Sequence, residues 1–287
     1  MAFDPLSLWN EGEAKEKILY FIRTTTLEGS PNYVPPMDRI AVFDNDGTLW
    51  VEQPIYTQLT FALDQLDERV VDHPEWRTDP VLAAALARDI ERLATYGLEG
   101  IAKIVAVSHT GISTEALTAS VRNWIATARH PHFDRLYTDL IYQPQLQFMD
   151  YLRAHGYRTY IVSGGGVEFM RAWVEDIYGI PPEQVIGSSA KTAYEVQDGR
   201  GVLMQLPEID LVNDGPGKPV GINKFIGRRP IIAVGNSDGD LEMLQYTTSG
   251  EGPRLGIYIH HDDGEREFAY DRGAAVGGLE EGLEKAE

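Results

Sequence analysis

The chain has no cysteine. That absence removes disulfides, thiolate nucleophiles and cysteine-bound metals together, and leaves the redox compartment open. It also has no apolar run long enough to cross a bilayer. Met1 to Asn10 lacks the basic-then-apolar pattern of a secretion signal. The expectation is a cytoplasmic protein that does not touch a membrane, with a periplasmic one compatible if a leader was removed. Positive charge is scarce as well: 25 Lys and Arg face 44 Asp and Glu in 287 residues, a formal charge of −19. Such a surface repels phosphate backbones and argues against nucleic acid as a partner. A small anionic ligand would have to be held against this field by a cation, a lysine or backbone N–H groups.

What is present suffices for a packed core, since 43% of the residues are hydrophobic and 10% aromatic. Asn10 and Glu13 form a capping-box-like start for a helix reaching Thr24. Arg39 to Phe43 is a short apolar run suited to a strand buried on both faces. From 51 to 140 the apolar spacing is helical throughout, as in Leu59, Ala62, Leu63 and Leu66, which predicts a helical module inserted after that strand. Alternation then begins. Helices are expected over Pro144–His155, Gly166–Tyr178 and Asp240–Tyr246, and strands over Tyr157–Val162, Pro230–Val234 and Leu255–His260. Tyr194–Val196 and Val202–Met204 flank a short loop at 197–200 and read as a β-hairpin. The pattern is that of an α/β protein with a doubly wound parallel sheet, whose ligand site lies beyond the carboxyl ends of the strands. Residues 1–50 and 141–287 would form this core.

Three expected strands end in short polar clusters: Asp44-Asn45-Asp46-Gly47-Thr48, Ser163-Gly164-Gly165-Gly166 and Gly235-Asn236-Ser237-Asp238-Gly239-Asp240. Gly217-Lys218-Pro219 precedes the third. Together they offer carboxylates for a hard divalent cation, a hydroxyl with glycine N–H groups for phosphate, and an ammonium. Phosphoryl transfer needs that inventory.

With these four ordered motifs the sequence resembles the haloacid dehalogenase-like hydrolases, on their phosphoserine-phosphatase-like side. Phe43-Asp44-Asn45-Asp46-Gly47-Thr48-Leu49 is the specific motif, and the other three gain weight from their order. The resemblance implies a Rossmann-like core with 51–140 as a helical cap, and a magnesium-dependent phosphomonoesterase acting on a small phosphorylated metabolite. It implies Asp44 as nucleophile through an aspartyl-phosphate, and Asp46 as general acid and then base with its backbone carbonyl toward the cation. Thr48 would bond within its own loop and orient the acid. Ser163 and the Gly164 N–H would hold a phosphate oxygen, and Lys218, with Lys224 as competitor, would neutralise the phosphoryl group. The fourth motif departs from the family pattern, because Asn236 stands where an aspartate usually ligates magnesium. Asn236 is retained as a metal ligand beside Asp44 and Asp46, with Asp240 as a further metal residue that touches the ion directly or through one intervening group, and a weaker metal site is expected.

Blander readings compete with these. The Asp-Asn-Asp-Gly string fails the spacing of a calcium loop. Gly164-Gly165-Gly166 is not a dinucleotide fingerprint, since Phe169 stands where that motif needs glycine. His260-His261-Asp262-Asp263 reads as a charged loop rather than a second metal site. Glu52 reads as either a substrate contact or a solvated hinge residue. A phosphotransferase or mutase would share every motif. A dehalogenase would have no need of Asp46, and a non-catalytic binding protein is disfavoured by intact Asp44 and Asp46.

Overall fold

A computed structural model describes residues 4–286. Six strands form one sheet: β1 (Ile40–Phe43), β2 (Arg158–Gly166), β3 (Val185–Gln197), β4 (Arg200–Leu211), β5 (Ile232–Gly235) and β6 (Leu255–Tyr258), in the order β4-β3-β2-β1-β5-β6. All neighbours are parallel except β3 and β4. β1 is central, with Ala41 opposite Thr159 on one side and Ile232 on the other. Its four residues are fully buried. Because side chains alternate across a strand, Ala41 and Phe43 enter one apolar cluster and Ile40 and Val42 the opposite one. The α/β parallel core expected from the sequence is thus present.

Helices cover both faces. α1 (Glu13–Thr26) precedes β1, and α2 (Thr57–Arg69), α3 (Pro80–Leu86), α4 (Ile90–Thr95), α5 (Gly97–His109) and α6 (Thr114–Ile125) follow it. Next come α7 (Gln143–Ala154), α8 (Val167–Arg171), α9 (Val174–Tyr178), α10 (Gly217–Phe225), α11 (Leu241–Thr248) and α12 (Glu281–Lys285). Leu59, Leu63 and Leu66 of α2 pack with Leu82, Leu93 and Ile104 into a cluster of their own. α6 instead sends Leu117, Val121 and Ile125 into the main core.

Several local expectations are corrected. α1 begins at Glu13 after Gly12, whose φ of 156° belongs to no side-chain cap, so the Asn10–Glu13 box does not form. The helix expected over 166–178 is two short helices, because Trp173 leaves helical geometry with φ −140° and ψ −20°. Its ring is drawn instead into a stack with Trp50, centroids 4.3 Å apart. β2 continues through the glycines to Gly166, with a register shift after Val162.

The hairpin is also much longer than its apolar runs suggest. β3 starts as a parallel core strand, with Val185 and Ile186 beside Ile161 and Val162. It then leaves the core as an arm paired with β4. Asp198 and Gly199 turn the arm with φ of 50° and 76°, both left-handed, which suits a two-residue hairpin turn. The arm docks on the α5–α6 turn, where Gly111 N–H donates to the Gln205 carbonyl at 3.1 Å and Gln205 N–H donates to the Ile112 carbonyl at 2.9 Å.

Candidate active site

The carboxyl ends of β1, β2 and β5 meet, as the topology requires. Asp44 follows β1, and its Oδ1 accepts from Lys218 Nζ at 2.7 Å. Lys218 sits in the first turn of α10 and is 1% exposed. Its ammonium also donates to Asp240 Oδ1 at 2.5 Å. The other oxygen of Asp240 accepts from the Asn236 and Ser237 N–H groups at 2.9 and 3.1 Å. Asp240 therefore faces the lysine and the turn after β5, with both oxygens engaged. Lys224, the competing lysine, is half exposed and faces Asp210.

Asp46 is steered by a residue that the motif alone does not assign. Its Oδ1 accepts from the indole N–H of Trp50 at 2.9 Å, and Trp50 is itself fully buried. Thr48 bonds within its own loop through its backbone N–H, which donates to the Asn45 carbonyl at 3.1 Å. Its hydroxyl crosses to Asn236 Oδ1 at 3.0 Å, tying the first motif to the fourth. The Asn236 amide N–H donates to Glu52 Oε1 at 2.6 Å, and Tyr270 OH donates to the same oxygen at 2.8 Å. Glu52, 2% exposed, is no solvated hinge residue.

Ser163 is buried at the turn of β2, where its Oγ accepts from Gly165 N–H at 3.0 Å. Gly164 lines the cavity beside it. The Gly166 N–H is taken by Gln58 Oε1 of α2 at 2.6 Å, so the helical module reaches the glycine loop directly.

A third layer comes from 259–280. His261 Nε2–H donates to the Gly47 carbonyl at 2.7 Å, and its ring stacks on Tyr270. This histidine is a buttress of the Asp44–Thr48 loop, not part of a plain charged loop. Gly47 itself has φ of 72°, and a Cβ there would lie 2.1 Å from Asn236 Nδ2 and 2.3 Å from Glu52 Oε1. The glycine is required by both conformation and space.

Electrostatics follow from packing acids around one ammonium. Burial, then the Asp240 charge, pushes the Asp44 carboxyl up, against the pull of Lys218. Burial raises Asp46 as well, against the Trp50 hydrogen bond. It pushes Glu52 up to about 8, with Asp46 and Asp44 adding to the rise. Burial disfavours the Lys218 charge, but Asp240 and Asp44 outweigh it and hold the ammonium protonated. One cation thus serves several carboxylates, and negative charge is in excess.

That excess is what a hard divalent ion would relieve. The donors at hand are the Asp44 and Asp46 groups and the Asn236 amide oxygen, an oxygen-only set suited to magnesium, which keeps much of its water. Among the described residues no cluster of three His, Asp or Glu side chains forms a ready-made metal cage. The residues fit an ion that borrows ligands from solvent and substrate.

The comparisons with known proteins are consistent with this architecture. Residues 41–245 match the family described as haloacid dehalogenase-like hydrolase. A conserved, functionally unknown protein from Anaerococcus prevotii DSM 20548 has a similar structure, with a TM-score of 0.57 and 16% identity over 92% of this chain and 94% of that one. A phosphoserine phosphohydrolase-like protein from Francisella tularensis subsp. tularensis SCHU S4 is more distant, with a TM-score of 0.44 and 18% identity over 78% and 88% of the two chains. A probable phosphoserine phosphatase from Vibrio cholerae has a TM-score of 0.40 and 14% identity over 87% and 65%. No curated protein matches the chain. No helix among the described residues is long and apolar enough to cross a membrane.

Proposed function

The chain belongs to the haloacid dehalogenase-like hydrolases, and from that premise we propose that it is a magnesium-dependent phosphatase of a small soluble phosphate monoester. The observation that carries this reading is the buried Asp44–Lys218–Asp240 chain with Asp46 two residues beyond. A dehalogenase has no use for a second carboxyl held beside the nucleophile. Asp44, Asp46 and Asn236 would hold the magnesium ion. When bound, it supplies charge neutralisation to the phosphoryl oxygens and to Asp44.

The chain's own groups do the rest. Lys218 fixes Asp44 and offsets charge as the anionic ester approaches. Ser163 and the Gly164 N–H hold a non-bridging oxygen. An Asp44 oxygen attacks phosphorus and the ester P–O bond breaks. Asp46, whose burial raises its pKa above the ordinary carboxylate value, gives its proton to the departing alkoxide oxygen. Asp46 then takes a proton from water, whose oxygen attacks phosphorus, releasing phosphate and restoring the Asp44 carboxylate. The upward shift that burial gives Asp46 supports this order, because a proton donor to an alkoxide is favoured by a pKa above the ordinary carboxylate value.

The test is turnover of p-nitrophenyl phosphate with and without magnesium, on the native chain and on Asp44→Asn. Hydrolysis that survives Asp44→Asn, or needs no divalent ion, overturns the reading.

A further inference from the structure

A cavity of about 460 Å³ opens from Asp44, Asp46, Ser163 and Lys218 and runs outward between α5 and β4. In the proposed reaction the phosphoryl group would fill only its inner end. The outer part is walled by Ile101 and Val105 of α5, Leu117 of α6, Phe169 of α8, and Leu206 and Ile209 of β4. No lysine or arginine lines the cavity among the described residues except Lys218, whose ammonium is committed to Asp44 and Asp240. The other charged groups along the wall are acids: Glu52, Glu99, Glu168 and Asp214. Glu52 already accepts from Asn236 and Tyr270, Glu168 faces Arg171 at 3.6 Å, and Glu99 is at the exposed rim.

We propose that the substrate is the monophosphate of an uncharged, largely apolar alcohol whose body occupies this outer cavity, not an amino-acid phosphate. The inference rests on the phosphatase reading and specifies its leaving group. A carboxylate on the leaving group would be buried without a counterion among acids, which is strongly unfavourable. An ammonium would find Glu52 and Glu168 engaged, Glu99 at the rim and Asp214 beside Gly164 at the phosphate end, with apolar side chains in between. An apolar body, by contrast, gains from leaving water, and a pocket of this size is suited to a small organic ligand. One polar feature refines the fit. His109 also lines the cavity, 8% exposed; its Nδ1 bonds Ser108 Oγ at 2.8 Å, and its buried Nε2 has no partner. It offers a single hydrogen bond to a hydroxyl, ether or ring nitrogen on an otherwise apolar body.

The test compares alkyl phosphates of similar leaving-group basicity on the full chain with magnesium: 2-phenylethyl phosphate, O-phosphoserine and phosphocholine. The expected kcat/KM for 2-phenylethyl phosphate is at least 100-fold above either charged ester. Calorimetry with 3-phenylpropylphosphonate and 2-amino-4-phosphonobutyrate gives a readout free of turnover, and only the first should bind. Val105→Arg should shift the preference from 2-phenylethyl phosphate toward O-phosphoserine, by supplying the cation its carboxylate lacks, and leave phosphocholine disfavoured. Equal rates, a preference for either charged ester, or phosphonates that bind alike or not at all overturn the proposal. Should no ester be hydrolysed while the phenylpropyl compound binds selectively, the phosphatase reading fails and the cavity assignment stands.

Discussion

Lys218 Nζ lies 2.5 Å from Asp240 Oδ1, so the carboxylate after β5 holds the lysine and not the solvent. Lys218→Met removes the ammonium from between two buried carboxylates. The expected result is loss of about 3–5 kcal/mol of stability in urea titrations and a fall in kcat of at least about 100-fold. Asp240→Asn keeps the shape and should retain most of the stability while lowering kcat. Unchanged kcat in both variants would remove Lys218 from the chemistry.

Asp46→Asn deletes the proton donor but preserves the Trp50 contact in form. The expected loss is roughly 100- to 10,000-fold for an alkyl phosphate. It should be much smaller for p-nitrophenyl phosphate, whose leaving group departs without protonation. Equal losses on the two substrates would argue against the acid role.

Asn236 and Glu52 are a matched pair, since the amide donates to the carboxylate at 2.6 Å. Asn236→Asp alone sets two buried carboxylates against each other and should lower stability by about 1–3 kcal/mol without metal. Asn236→Asp combined with Glu52→Gln should recover that loss and tighten apparent magnesium affinity. Thermal melts across a magnesium series measure both, and equal affinity in native and doubly substituted chains counts against Asn236 as a ligand.

Gly47→Ala brings a Cβ against both members of that pair at a φ of 72°. A destabilisation of roughly 2–3 kcal/mol is expected, with disturbed metal dependence. A stability within error of native would mean that the loop yields freely.

These sites were unequally legible in the sequence. Asp44, Asp46 and Thr48 stood out because one loop after one apolar strand carries them all. Gln58 and Tyr270 did not, because each reaches the site by packing from another element. The partner of Thr48 was missed for the same reason: Asn236 is 188 residues away in sequence. The start of β3 was hidden because only Val185 and Ile186 lie in the buried sheet before the chain turns small and polar. The arm beyond has both faces partly in water, as Tyr194 at 70% and Val196 at 64% exposure show, so it lacks a strong burial pattern. Trp173 broke the expected 166–178 helix because its ring serves the core better outside helical geometry, a tertiary demand that spacing does not encode.

His109 gives the stability a defined pH dependence. Burial pushes its pKa down to about 4 from 6.5. The unfolded chain therefore takes up a proton near pH 6.5, while the folded chain resists until about pH 4. This contribution is intact above pH 6.5 and is lost as pH falls through that window, by roughly 3 kcal/mol in all. His109→Leu should flatten this part of the curve relative to native in urea titrations at stepped pH. Parallel curves would show that the imidazole does not titrate as stated.

The two main-chain bonds between Gly111, Ile112 and Gln205 have a mechanical consequence. They rivet the α5–α6 turn to a ribbon that grows out of the central sheet. A lobe that swung away about residues 50–56 would have to snap those rivets or bend the ribbon with it. Any such swing would therefore work against a two-stranded spring as well as against the chain crossings beside the Asp44–Thr48 loop.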